Sequence, residues 1–310
     1  MNKKNYLIEK AEKGLTIQQY LKQIAGFSNA QIRSMKFTEN GICLGGQRAR
    51  VTTRLSEGDV LEVLLETKNS SSAHLLSFEQ MPDILYEDTD VIAVNKPAGM
   101  AVHPSHGHYQ DTLANQLAYY FRKNTQQVEI HSIGRLDLET SGIVLFAKHR
   151  AAAARLYRQR EDGRLQKTYL AICSGIFAEK NGTLNGAIAP LPGSLMKMCV
   201  SKDGKPAVTH YQVQKQYMEA ALVQLTLETG RTHQIRVHMA DAGHPLIGDR
   251  LYFADTDQKA DVDAENCFTG IKRAALHASR ICFYQPFEGK RITVEAPFPE
   301  DMKKCLFRDE

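Results

Sequence analysis

Tryptophan is absent from the 310 residues, and six cysteines are scattered without one Cys-x-x-Cys pair. The first absence decides nothing. The second argues against a zinc ribbon and a disulfide framework and fits a reducing compartment. No apolar run approaches the roughly 20 residues that span a bilayer, and the opening "MNKKNYLIEKAEKG" has no apolar core of signal-peptide length. A cytoplasmic protein with no membrane partner is expected. "GLTIQQYLKQIAG" contains glycine but not the spacing of a phosphate loop, so no nucleotide cofactor is implied. "RTHQIRVH" lacks the Glu and the i, i+4 His pair of a zinc protease. "HPSHGH" offers His103, His106 and His108 but no Cys or carboxylate at ligand spacing, so no metal is expected.

The chain has 43% hydrophobic and 24% charged residues, ordinary for a globular protein, and its length suits one large domain plus a small one. Net charge is +4, a mild hint of nucleic acid. Most of the excess falls early: residues 1–66 hold ten Lys/Arg against seven Asp/Glu.

That first segment has its own pattern. Leu15, Ile17, Tyr20, Leu21 and Ile24 recur at helical spacing, and Gly26 ends the helix. Ser28 followed by Gln31 is a capping box for a second helix with Ile32 and Met35 on one face. Short strands around "GICL" and "VLEVLLE" follow, with glycine turns. Arg33 and Lys36 lie away from the apolar face of the second helix, and Arg48, Arg50 and Arg54 follow on a loop. A solvated basic face is the ordinary fate of such charge. Residues 67–80, "TKNSSSAHLLSFEQ", begin Ser-rich and read as a linker.

From residue 81 to 310 short strand patterns dominate. "ILYEDTDVIAVNKPAGMAVHP" reads as two strands, then a Lys-Pro-x-Gly loop, and "TLANQLAYYFRKN" as an amphipathic helix. "ARLYRQREDG" is a helix stopped by Gly163. "LQKTYLAICSG", "THYQVQKQY", "ALVQLTLETG" and "RITVEAP" read as strands, while "THQIRVHMADAG" is ambiguous between strand and helix. "DTDQKADVDAEN" (255–266) looks like an exposed acidic insertion. Many strands with few crossover-length helices predict an α+β fold with a largely antiparallel or mixed sheet and flanking helices.

Three segments carry polar groups that a plain strand does not need: "GRLDLETSG" (134–142), "QKTYLAI" and "TGRTHQIRVH". In the first, Asp137 sits on a loop feeding the apolar run "IVLFAKH", where a side chain can be held firmly and still meet solvent or substrate. Asp, Thr, Ser and Gly also make turns, so a turn remains the competing account. The third crowds Arg231, His233, Gln234, Arg236 and His238 directly after a strand. A carboxylate, a tyrosine and arginines from three elements can meet in one cleft; chain order alone does not establish that they do.

Taken with "VIAVNKPAGMAVHPS" ahead and "AALHASRICFYQPFEG" behind, these segments resemble the RluA-type pseudouridine synthases over about residues 81–300. Residues 13–66 resemble the small alpha-L RNA-binding module of ribosomal protein S-four. The resemblance implies isomerisation of uridine to pseudouridine in RNA without a cofactor. The base detaches, rotates and rejoins the ribose through carbon 5. Large-subunit ribosomal RNA is the favoured partner and tRNA the alternative; the enzyme is expected to be a monomer. A catalytically silent RNA-binding protein on the same scaffold is the rival, and retention of three site residues speaks against it. Asp137 matches the catalytic aspartate, Arg236 the arginine that pairs with it, and Tyr169 the tyrosine on the base face that can help remove the carbon 5 proton. A flipped target base is required, and Arg135 is placed to enter the vacated stack; an ion pair with Glu139 or with phosphate is its plainer role. Arg231, His233, Arg33, Lys36, Arg48 and Arg50 are expected to contact RNA. One departure is visible: the family carries His before Arg-Leu-Asp, and here that place is Gly134, with His131 three residues earlier.

Overall fold

The computed structural model describes residues 3–65, 75–105, 107–126, 128–194, 196–253 and 271–306. The acidic stretch at 255–266 and His106 lie outside them.

The N-terminal module sets strand β1 (Lys3–Leu7), helices α1 (Ile17–Gln23) and α2 (Asn29–Phe37), and strands β2 (Ile42–Leu44), β3 (Gln47–Arg48) and β4 (Val60–Leu64) around one small core. Both helices start at capping boxes, Thr16 with Gln19 and Ser28 with Gln31, which satisfy backbone N–H groups the first turn leaves open. Ile17, Tyr20, Leu21, Ile32 and Met35 face the sheet, whose order is β1-β4-β2-β3. Ile24, expected on the buried face, is instead 55% exposed at the C-cap of α1, although its N–H still bonds Tyr20 O at 2.9 Å.

The remaining chain builds one large sheet. Its strands in chain order are β5 (Ile84–Glu87), β6 (Val91–Lys96), β7 (His131–Ser132), β8 (Ser141–Ala147), β9 (Gln166–Ser174), β10 (Asn181–Asn185), then, after the separate ribbon β11 (Ile188–Pro190) and β12 (Met198–Val200), β13 (Val208–Gln216), β14 (Ala220–Leu227), β15 (Leu276–Tyr284) and β16 (Arg291–Glu295). The spatial order is β10-β13-β14-β9-β15-β8-β6-β5, with β16 beside β15 and β7 beside β8. Every pairing is antiparallel except β15 with β8. Helices α3 (Leu113–Lys123), α4 (Arg150–Glu161), α5 (Gln234–Asp241) and α6 (Glu300–Leu306) flank it. This is the expected α+β architecture with a mixed, largely antiparallel sheet.

β8 is buried along its whole length because both sheet faces are covered, which is why its sequence shows an apolar run and no alternation. Ile92, Val94, Val144 and Phe146 face one core with α3 and α5. Val91, Ala93, Ile143 and Leu145 face the other with α4. Leu113, Leu117 and Phe121 of α3 are almost fully buried, each contributing about 1.5–3 kcal/mol of apolar burial. "THQIRVHMADAG" resolves as helix α5; Gln234 at its start bonds Val208 O and Thr209 Oγ1 of β13 and pins it there.

The part of the expected linker that is described, residues 75–80, lies against α3. Leu75 is buried in the main core, Asn115 donates to Leu76 O at 2.7 Å, and Arg122 donates to Leu75 O at 2.7 Å. Among the described residues no helix is long and apolar enough to cross a membrane.

Candidate active site

Paired residues in neighbouring strands share a sheet face. One such row crosses the middle of the sheet: Lys96 on β6 pairs Gly142 on β8, Gly142 pairs Ala278 on β15, Ala278 pairs Tyr169 on β9, and Tyr169 pairs Leu225 on β14. The row brings a lysine from one segment and a tyrosine from another to one face. Gly142 makes it possible. Its φ is +107°, and a Cβ there would lie 2.3 Å from Ala278 O, so only glycine admits β15 so close. The Ser-Gly that closes "GRLDLETSG" therefore serves strand pairing. Ser141 Oγ adds a 3.0 Å hydrogen bond to His277 Nδ1.

Asp137 lies on the half-buried loop just ahead of this row. Its carbonyl accepts from Thr140 N at 3.1 Å, so the loop does make the expected turn, and the side chain stays partly open beside it. Leu138 O accepts from Gly99 N at 2.8 Å and from Lys96 Nζ at 3.1 Å. Glu139 O accepts from Arg273, and the Glu139 carboxylate accepts from Ala274 N at 3.1 Å. The two residues that follow Asp137 are thus tied to two separate segments, 96–99 and 273–274, the kind of support that holds a reacting group in place.

The electrostatics place Asp137 among five groups. Burial raises the Tyr169 phenol, and the Asp137 charge raises it further. Burial pushes the Lys96 ammonium down to about 7, with the Asp137 charge opposing and the Arg273 charge assisting. Burial lowers the His233 imidazole against the pull of Asp137. Burial works against the Arg236 charge, but the Asp249 hydrogen bonds and charge, then Asp137 and Glu139, outweigh it and raise its pKa. Tyr252 is raised by burial first, and Asp137 adds to it.

Asp137, Tyr169, His233 and Arg236 are therefore brought together. The Arg236 pairing differs from expectation. Its Nε and Nη2 are held by Asp249 at 2.6 and 2.7 Å, Glu139 lies at 3.9 Å, and Asp137 acts on it through charge. The reason is geometric: α5 packs Arg236 inward, 4% exposed, against the turn carrying fully buried Asp249, which suits a two-pronged bond. His233 begins α5 in the left-handed conformation, φ +55°, with Nδ1 at 2.9 Å from the Tyr252 hydroxyl. It stands inside the cluster and is only partly open to solvent. Arg231 is exposed and donates to Pro206 O at 3.0 Å.

Arg135 is exposed two residues before Asp137. The Glu139 carboxylate faces Ala274 N and Arg236, so Arg135 is not committed to it. Arg33, Lys36, Arg48 and Arg50 stay on the N-terminal module, all exposed, and Arg48 bonds Lys36 O at 3.2 Å, which draws those two together. Arg54 donates to Gly14 O within the module. His103 bonds Ser132 at 2.7 Å and His108 bonds Asp111 at 2.7 Å. Gly134 has φ +88°, and a Cβ there would stand 3.6 Å from both Arg160 Nη1 and Lys167 Nζ.

Sequence reasoning passed over Lys96, Asp249 and Tyr252. The signal for Lys96 was a charge closing the apolar strand "VIAVNK". It is fully buried and donates to Pro97 O, Met100 O and Leu138 O at 2.9, 2.7 and 3.1 Å. The signal for Asp249 was an acid inside the otherwise mostly apolar stretch "PLIGDRLY".

The geometry agrees with what the chain is similar to. The RNA pseudouridylate synthase family model matches residues 90–241. The RNA pseudouridine synthase YhcT of Bacillus subtilis (strain 168) is 39% identical over 251 residues, 80% of this chain and 78% of that protein. A protein named ribosomal large subunit pseudouridine synthase D, from Neisseria meningitidis, is 38% identical over 267 residues, 85% of this chain and 67% of that protein. The solved structure of human RNA pseudouridylate synthase domain containing 1 superposes with a TM-score of 0.57 at 27% identity, covering 77% of this chain and 90% of the human one. On these matches, and with its motifs gathered at one face of the sheet, the chain belongs to the RluA-type RNA pseudouridine synthases.

Proposed function

We propose that this enzyme isomerises uridines in large-subunit ribosomal RNA, with Asp137 as the carboxylate that attacks, or stabilises charge at, the ribose or base as the glycosidic bond breaks. The observation that carries the reading is the reach of the Asp137 charge to Tyr169, Lys96, His233, Arg236 and Tyr252 from a loop fixed at Leu138 and Glu139. Hydrolysis by a glycosidase route would normally use two carboxyls at a set separation. Here Glu139 is occupied with Ala274 N, and Asp249 with Arg236. Tyr169, raised by burial and by Asp137, stays a neutral phenol. That suits a ring packed on the base and a hydroxyl that donates; a phenol so poor at ionising is a weak base for the carbon 5 proton. Arg236 holds positive charge beside the site through its pair with Asp249. Arg135 is free to enter the stack a flipped uridine leaves.

The relatives named for the ribosomal large subunit support that substrate class. The N-terminal module, with two capped helices on a four-stranded sheet and its exposed Arg33, Lys36, Arg48 and Arg50, supports a second RNA contact of the alpha-L kind. The test is pseudouridine mapping on ribosomal RNA from cells with and without the protein, together with purified Asp137→Asn. Loss of one or a few sites without the protein, and no turnover by a folded variant that still binds RNA, is expected. Turnover by Asp137→Asn at near the native rate would remove Asp137 from the chemistry.

A further inference from the structure

Two arginines near the site have carboxylate partners: Arg236 has Asp249 and Arg273 has Asp301, the latter at 2.7 Å. Arg160, at the end of α4, and Lys167, near the start of β9, have neither a carboxylate nor a hydrogen-bond partner among the described residues. They nevertheless converge. Arg160 Nη1 and Lys167 Nζ each stand 3.6 Å from the point where a Cβ of Gly134 would be, so both face one small space that Gly134 leaves uncovered. Gly230 borders the same space: a Cβ there would lie 2.7 Å from Arg160 Nη2. Two glycines thus keep open a gap into which two like charges point.

We propose that Arg160 and Lys167, on either side of the uncovered Gly134 backbone, form an anion site that takes a backbone phosphate of the RNA beside the target uridine. Two facing cations without a counter-ion are unfavourable in the free protein, and a phosphodiester relieves that repulsion while meeting both donors. Burial first, and then the Arg160 charge, push the Lys167 ammonium down to about 8, a cost that an anion between them reverses. The site is next to the chemistry. Lys167 precedes Tyr169 by two residues on β9, Tyr169 feels the Arg160 charge, and Gly134 is three residues ahead of Asp137. A phosphate held here fixes the ribose of the flipped nucleotide relative to the Asp137 loop. The proposal rests on the reading that RNA is the substrate at Asp137.

The test uses full-length protein and a large-subunit ribosomal RNA transcript. Filter binding across a salt series is measured for wild type, Arg160→Gln, Lys167→Gln, the double variant, Arg160→Lys, and Arg291→Gln, which removes an exposed charge on β16. One phosphate contact carries about 0.7 to 0.9 of the slope of log affinity against log salt. The double variant should lose about that much, and neither single variant more; Arg160→Lys should recover part of it, and Arg291→Gln should lose none. In turnover, the half-saturating transcript concentration should rise several-fold, by more than the saturating rate falls. A folded double variant with native slope and native half-saturation overturns the proposal, as does an equal loss in Arg291→Gln. Binding is read apart from turnover. A wild type that bound the transcript but left its uridines unchanged would count against the function assigned to Asp137 and leave the anion site standing.

Discussion

The Arg236–Asp249 pair is the most demanding arrangement in the site, and Asp249→Asn tests it. Both side chains are out of water, 4% and 0% exposed, and joined by two hydrogen bonds of 2.6 and 2.7 Å. Removing one charge from such a pair leaves the other buried and uncompensated, typically at about 3–5 kcal/mol. Asparagine keeps the shape. Its oxygen can still accept from Leu251 N, as Asp249 does at 3.0 Å, so the turn survives. The expected loss is therefore near the lower end, about 3 kcal/mol. Urea unfolding of wild type, Asp249→Asn, Arg236→Met and the double variant measures it. The double variant, with no stranded charge, should be destabilised by clearly less than the sum of the singles. Turnover by Asp249→Asn should fall as well, because the guanidinium loses the group that aims it. A loss below about 1 kcal/mol, or strict additivity, would show that the pair does not hold Arg236.

Lys96 gives a pH signature: its folded value of about 7 lies below its ordinary 10.5, so the folded state holds fewer protons between those values, and stability should rise with pH from 7 toward 10. Urea unfolding at pH 7 and pH 9 should show this gain in wild type and not in Lys96→Met. Gly142→Ala should cost at least the 1–3 kcal/mol typical of overpacking, since the added carbon meets Ala278 O at 2.3 Å, and a thermal melt reads it. Removal of residues 1–74 should reduce the salt slope of RNA binding by about 0.7 to 0.9 for each phosphate that the module neutralises. It should also lower the melting temperature by uncovering Phe287 and Ala151; an unchanged melt would mean that the docking of the module contributes nothing.

Much of this fold was legible because its signals are local. The capping box at Ser28, the apolar run of β8 and the stop near Gly163 depend on neighbouring residues, and they appear where the sequence puts them. The candidate site was legible only as separate motifs. Lys96 is 41 residues from Asp137 and Asp249 is 112 residues from it, and nothing in the chain says that strand register will bring Lys96 and Tyr169 to one row. The Arg236 partner was misassigned for the same reason: an arginine close to two carboxylates takes the one that its helix and the facing turn align. "THQIRVHMADAG" stayed ambiguous because Ile235, Val237 and Met239 alternate like a strand, while burial of His238 and Arg236 on a helix packed on several sides hides the 3.6-residue period.

The docking of the N-terminal module bears on how the two proposed RNA contacts would work together. Arg155 of α4 lies over the rings of Phe27, from the module, and Phe287, from the turn between β15 and β16, at 5.0 and 3.9 Å. Its Nη1 donates to Pro286 O at 2.8 Å, and Ala151 packs into the module core. A guanidinium between two aromatic faces and largely removed from water contributes about 2 kcal/mol or more. The module is therefore set against α4, the helix whose other end carries Arg160 to the Gly134 gap. A 12-residue helix is about 18 Å long, so the exposed Arg33, Lys36, Arg48 and Arg50 and the cleft at Asp137 are held at a set separation by one rigid element. RNA that engages both must present its target uridine at that distance from a structured region. On the proposed function, site choice would then follow from the spacing that α4 fixes as well as from the bases that the cleft reads.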